Sequence, residues 1–193
     1  MGKALYEMTL EELWELFPII LRDHNPVYKE WYSIEKEEII KALGQKVIKR
    51  INHIGSSAVE GLIAKPTVDI LLEVDRQCDI ETLRTKLKNA GWIMMSCQME
   101  PEFKMSLNKG YTPEGFAERV FHLHIRFPGD WGELYFRDYL IMHPEVAKEY
   151  GELKRKLIEQ HEHDRDGYTE AKSEFVAKWT RAAKEEYGGK YTP

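Results

Sequence analysis

The chain has 193 residues, with 28 Lys and Arg against 33 Asp and Glu and a formal net charge of −5. Its length and its 42% hydrophobic, 32% charged composition fit one folded domain over residues 1–193 and exclude a disordered or fibrous chain. The acidic balance excludes a protein that holds long nucleic acid or an anionic membrane by bulk electrostatics, and it leaves small anions open through local groups.

The opening MGKALYEMTLEELW has no signal-peptide layout, and Gly2 is followed by Tyr6 where a myristoylation signal needs Ser or Thr. No apolar run approaches the roughly 18 residues of a membrane span. Cys78 and Cys97 show no CxxC spacing, so the expected setting is a reduced cytoplasm. No sequence pattern fixes an oligomeric state.

Thr9 and Glu12 form a capping-box pair ahead of Leu10, Leu13, Trp14 and Phe17, which predicts a short helix stopped near Pro18. An extended stretch to Leu21 follows. Asn25-Pro26 opens a second helix, which runs through Trp31, Ile34 and Ile39 to Leu43 and is capped by Gly44. Residues 46–54 (KVIKRINHI) and 66–74 (PTVDILLEV) read as strands joined by a Gly/Ser/Ala loop. Helical spacing at Ile80, Leu83 and Leu87 predicts a helix over 79–90, closed by Gly91.

Residues 92–99 and 103–107 are strand candidates, and 109–115, with Gly110, Pro113 and Gly115, reads as a turn or mobile loop. The clearest strand is 119–127 (RVFHLHIRF): Phe121, Leu123, Ile125 and Phe127 share one face, and His122, His124 and Arg126 the other. Helices are predicted over 133–142, 144–160 and 169–187, with Pro144 in a first turn and Gly167 as a breaker. Trp14, Trp31 and Trp179 fall at core spacing in their helices. The expected fold is α+β, a mixed sheet flanked by helices with a helical C-terminal portion.

The chemistry concentrates in residues 53–74, HIGSSAVEGLIAKPTVDILLEV. A strand ending at Gly55 and followed by Ser56 and Ser57 can turn backbone N–H groups and hydroxyls towards a phosphate. In the next strand Asp69, Leu71 and Glu73 share one face by period 2, so an acid projects beside the loop. Spacing alone also admits an ordinary turn and an aspartate that bonds a neighbouring backbone.

This run closely resembles the signature of the GrpB (UPF0157) family, whose usual form reads HxGSTAVxGLxAKPxxDI. FHLHIRF resembles the family's His-x-His strand. FRDYLIMHPEVAKEYGELKRKL and YTEAKSEFV resemble its two C-terminal blocks, so the likeness runs from Leu16 to about Tyr187. The family is placed in the nucleotidyltransferase-like superfamily, where a Gly-Ser motif holds nucleotide phosphates and a following Asp-x-Asp/Glu pair holds divalent metals.

The resemblance implies that Gly55, Ser56 and Ser57 bind phosphate and that Asp69 is the catalytic, metal-binding carboxylate. Lys65 lies in the family's Ala-Lys-Pro. Lys172 returns from the Tyr168…Lys172-Ser173 segment, and Arg126 extends the His-x-His face; all three are candidate ligand-binding residues. The chain departs from the superfamily at Leu71, which stands where the second carboxylate belongs. Glu73 lies roughly 6–7 Å beyond it along the strand.

His122 and His124 replace the later acid, and with Asp69 they offer a two-histidine, one-carboxylate set for a divalent ion such as Mg²⁺, Mn²⁺ or Zn²⁺. Without metal, the same histidines can bond phosphates or buried backbone. Arg137 and Asp138 read as an internal ion pair, and HEHDRDG (residues 161–167) as a solvated charged loop. The expected function is binding of a nucleotide or phosphorylated small molecule, with metal-dependent nucleotidyl transfer. The alternative is a non-catalytic ligand-binding or accessory domain that has lost the metal carboxylate pair.

Overall fold

The computed structural model describes residues 3–193, so the reading of Gly2 lies outside the described residues. Thr9 caps α1 (Leu10–Leu16) through the expected reciprocal bonds with Glu12. Asn25 accepts the Val27 N–H at 3.0 Å to open α2 (Val27–Leu43), which Gly44 ends at φ +87°. The chain then forms β1 (Ile48–Ile54), β2 (Val68–Val74), α3 (Ile80–Asn89), β3 (Ile93–Gln98), β4 (Lys104–Thr112) and β5 (Gly115–Arg126). Four helices follow: α4 (Gly132–Met142), α5 (Pro144–His161), α6 (Arg165–Glu170) and α7 (Ser173–Glu186). None is long and apolar enough to cross a membrane.

The five strands order as β1-β2-β5-β4-β3, with β2 and β5 parallel and the other pairs antiparallel. Alternation divides the sheet into two faces. Val68, Ile70, Leu72, Val74, Leu123 and Ile125 pack with Ile39 and Leu43 of α2 and Leu83 and Leu87 of α3. The opposite face carries Asp69, Leu71, His122 and His124. Leu71 there packs with Ile54 of β1 and Leu134 of α4. A second core, built from Tyr135, Tyr139, Val146, Tyr150 and Ala183, holds α4, α5 and α7 together.

Two segments differ from expectation. Residues 109–115 form the end of a β4–β5 hairpin, with Tyr111 paired to Phe116. Phe17 packs on both rings, at 4.8 and 5.0 Å between centroids, and these aromatic contacts order a stretch whose glycines suggested a loop. The expected helix over 169–187 is two helices broken at Ala171 and Lys172, and Gly167 lies inside α6. There its N–H donates to the capping carboxylate of Asp164 at 2.9 Å. The charged 161–167 segment is thus largely a helix start, because Asp164 satisfies an otherwise unpaired first-turn N–H.

Candidate functional site

Strand register assembles the site. Asp69 of β2 lies beside His122 of β5, and Leu71 beside His124. Because β2 and β5 run in parallel, the end of β2 that leaves the Gly55 loop meets the His-x-His segment. Gly55 turns out of β1 at φ +72°, and a Cβ there would come within 2.5 Å of Asp69 Oδ2. Only glycine lets the turn lie against the carboxylate.

Asp69 Oδ1 accepts from His122 Nδ1–H at 3.0 Å and has His124 Nε2 at 3.8 Å. Burial opposes ionisation of Asp69, but the hydrogen bond from His122 and the nearby His124 ring outweigh it and hold the carboxyl far below its usual range. Burial pushes His122 below the ordinary imidazole value, against the pull of Asp69.

The other ring nitrogen, His122 Nε2, lies 2.8 Å from the Tyr111 hydroxyl, whose oxygen also accepts from Arg165 Nη1 at 3.0 Å. A guanidinium only donates. Asp69, held as a carboxylate, only accepts, so the ring proton sits on Nδ1; burial favours the neutral ring, whose Nε2 then accepts, and the phenol donates to it while accepting from Arg165. The chain Arg165, Tyr111, His122, Asp69 therefore has one hydrogen-bond direction along its length.

This chain bears on the metal set. The three side chains are together, but both His122 nitrogens are taken. Among the described residues, no group of three or more His, Cys, Asp or Glu is arranged to hold a metal ion. Glu73 is equally committed: it is buried, pairs with both sides of the Arg50 guanidinium and accepts the Gly129 N–H at 2.9 Å. The donor set as arranged does not fit a two-metal centre.

A hollow of about 460 Å³ lies over Asp69, walled by Gly55, Ser56, His124, Tyr150 and Thr180. Lys154 of α5, only 3% exposed, donates to Ser56 Oγ at 2.9 Å and to the Ile63 carbonyl. Its ammonium lies 4.6 Å from the centre of the Tyr150 ring. The charged groups acting on it are Lys172, Lys65 and Arg155, all cations; burial first and then these neighbours lower it to about 7. Lys172, whose ammonium lies 4.1 Å over the Tyr168 ring, is likewise lowered to about 7, by burial and then by Lys65. Lys65 is lowered by burial and by Arg165, with Asp69 pulling the other way. None of the three lysines forms an ion pair among the described residues.

Two residues expected in the site are placed otherwise. Ser57 is buried, its hydroxyl 3.0 Å from His53 Nε2, and that ring stacks on Tyr32. Arg126 stands four residues along β5 from His122, roughly 13 Å by strand rise. It bonds the Ile125 carbonyl, lies over Trp131 and meets the hollow only through Glu133, at 3.5 Å. The strand that aligns Arg126 with the two histidines is also what carries it away from Asp69.

Arg137 pairs with Asp138 and also donates to the His53 carbonyl at 2.9 Å and to Tyr191, a structural tie between α4, β1 and the C-terminal segment. Lys154, Tyr111 and Arg165 were not singled out from the sequence. One signal was available: Val146, Ala147, Tyr150, Gly151 and Lys154 form the buried stripe of α5, so a lysine occupies an apolar helical position.

The fold and site define an α+β protein with a Gly-Ser turn set against a partly buried aspartate, with lysines nearby. The chain belongs to the GrpB family, whose model, described as "GrpB protein", matches residues 18–182. It is 34% identical over 162 residues to the glutamate-rich protein GrpB of Alkalihalophilus pseudofirmus, covering 82% of this chain and 91% of that one. Against the UPF0157 protein YqkA of Bacillus subtilis the identity is 31%, over 79% of this chain and 43% of the relative. The crystal structure of conserved protein GrpB from Enterococcus faecalis superposes with a TM-score of 0.76 at 27% identity, covering 87% of this chain and 99% of that one.

Proposed function

We propose that this protein binds a phosphorylated small molecule, of which a nucleotide is one candidate, in the hollow over Asp69. One observation carries the reading: Lys154 donates to Ser56 of the Gly55-Ser56 turn, Lys172 and Lys65 are near enough to disfavour its charge, and none of the three has an ion-pair partner among the described residues. Desolvating unpaired ammonium groups is costly, and an incoming phosphate would supply the missing anions. Asp69, the one carboxylate acting on this group, reaches Lys65 and Lys172 but not Lys154, and the surplus of cations is suited to a phosphate dianion. The free N–H groups and hydroxyl of a glycine turn suit the same ligand.

Between transfer and binding alone, the arrangement favours the binder. Leu71 is fully buried among apolar side chains, Glu73 is tied to Arg50, and His122 has no free nitrogen. Asp69 remains a carboxylate able to accept a proton or hydrogen bond from a ligand hydroxyl.

Thermal unfolding with inorganic phosphate, pyrophosphate and a nucleotide panel tests the proposal, with EDTA in one series and Mg²⁺, Mn²⁺ or Zn²⁺ in another. Stabilisation in EDTA that is lost in Lys172→Met supports it. Stabilisation seen only with a metal would instead support a transferase-like site, and no response to any phosphorylated compound would overturn the assignment.

A further inference from the structure

We infer that the ligand is a phosphate or pyrophosphate ester whose apolar or aromatic body lies along α7, an inference that rests on the anion-binding reading above. The hollow over Asp69 does not end at its own wall. It shares Tyr150, Val176 and Thr180 with an adjoining groove of about 700 Å³, which runs along one face of α7 at i, i+3 and i+4 spacing through Lys172, Val176, Ala177 and Thr180. Lys172, one of the three unpaired cations, stands where the groove begins.

Chemistry changes along this path. At the Lys172 end lie the ammonium groups and the Gly55-Ser56 turn. Beyond it the walls are the Tyr150 ring, Val176, Ala177 and Thr180. The groove is mainly apolar and open to solvent, a surface along which a small organic body can lie.

Tyr150 connects the two regions. It is buried and stacks on Phe175 at 5.1 Å with 12° between planes, so its position is fixed from behind. Phe136 packs edge-on against it at 5.4 Å, and it also meets the Lys154 ammonium and the two hollows. Lys184, further along α7, is not a spare cation, because Asp130 pairs with it at 2.8 Å. Arg181 and Glu185 also line the groove and offset one another in charge, so no cationic surplus like that of the first hollow remains for a second phosphate, whereas an apolar body meets Val176 and Ala177. An inorganic anion would use only the first half of this path.

Isothermal titration in EDTA with inorganic phosphate, phenyl phosphate, pyrophosphate and ADP distinguishes the cases, using the full chain and an Ala177→Trp variant. Ala177 is exposed on α7, so the indole fills the groove without entering a core. The expected result is that each ester binds at least tenfold more tightly than its inorganic counterpart. In Ala177→Trp that advantage should disappear while phosphate and pyrophosphate bind as before. Equal affinity of esters and inorganic anions, or an unchanged ester advantage in the variant, would overturn the inference and leave the anion site standing. Failure of all four compounds to bind would remove the anion site and the inference together.

Discussion

Lys154 Nζ lies 2.9 Å from Ser56 Oγ, a reach from the second half of α5 to the loop that follows β1. The contact joins the helical C-terminal portion to the sheet at the proposed ligand site. Lys154→Met keeps much of the side-chain volume and removes the charge. Phosphate or pyrophosphate affinity should then fall by at least tenfold, while ligand-free stability stays near that of the parent or rises, since an unpaired buried amine is no longer desolvated. Calorimetric binding together with ligand-free melting measures both; unchanged affinity would show that Lys154 only fastens α5 to the loop.

The lysines also set a pH dependence. Lys154 and Lys172 titrate near 7 in the folded protein against an ordinary 10.5. Between those values the unfolded chain holds protons that the folded chain has released, so stability rises with pH. Seen from the alkaline side, stability is lost as pH falls towards 7. In phosphate-free buffer the melting temperature should climb by roughly 10 °C from about pH 7 to 9, as expected for two such lysines at about 2 kcal/mol each in a chain of this size. The double variant Lys154→Met, Lys172→Met should flatten the rise. Anion binding needs the charged amines, so affinity should decline over the same window.

Glu73 marks a different kind of buried charge. It is 1% exposed and matched by Arg50, with the Gly129 N–H completing its bonds. Arg50→Met strands the carboxylate, and losing one partner of a buried pair costs about 3 kcal/mol or more. Denaturant unfolding should show that loss. A change below ~1 kcal/mol would mean that Glu73 becomes protonated or hydrated at little cost.

The elements legible in the sequence were those with local causes. The Thr9–Glu12 capping box, the Asn25-Pro26 start and the alternation of FHLHIRF each carry their own geometry, and they reappear as α1, α2 and β5. Placing Asp69 beside His122 required the parallel β2–β5 register, which period 2 alone does not give; the family likeness supplied that expectation. Lys154 and Arg165 were hidden for tertiary reasons. One sits on a helix stripe that usually holds apolar residues, and the other in a charged run that reads as solvated. Arg126 shares the strand face of the two histidines yet stands apart from Asp69, because four residues along a strand exceed the width of a phosphate.

The direction of the Arg165–Tyr111–His122–Asp69 chain gives the last prediction. Tyr111 donates to His122 Nε2 and so favours the neutral ring, since a proton at that nitrogen would end the bond. Burial acts in the same direction, and Asp69 opposes both. Nitrogen-15 spectra of the labelled ring should therefore show His122 as the neutral Nδ1–H tautomer in the parent protein. Tyr111→Phe removes the donor and leaves Nε2 open. His122 should then take up a proton at a higher pH than in the parent, because the bond that favoured the unprotonated Nε2 is gone. Arg165→Met should act more weakly in the same sense, because it frees the phenol to rotate without removing it. A parent ring protonated on Nε2, or a midpoint unmoved in Tyr111→Phe, would show that Tyr111 packs against the histidine without setting its proton.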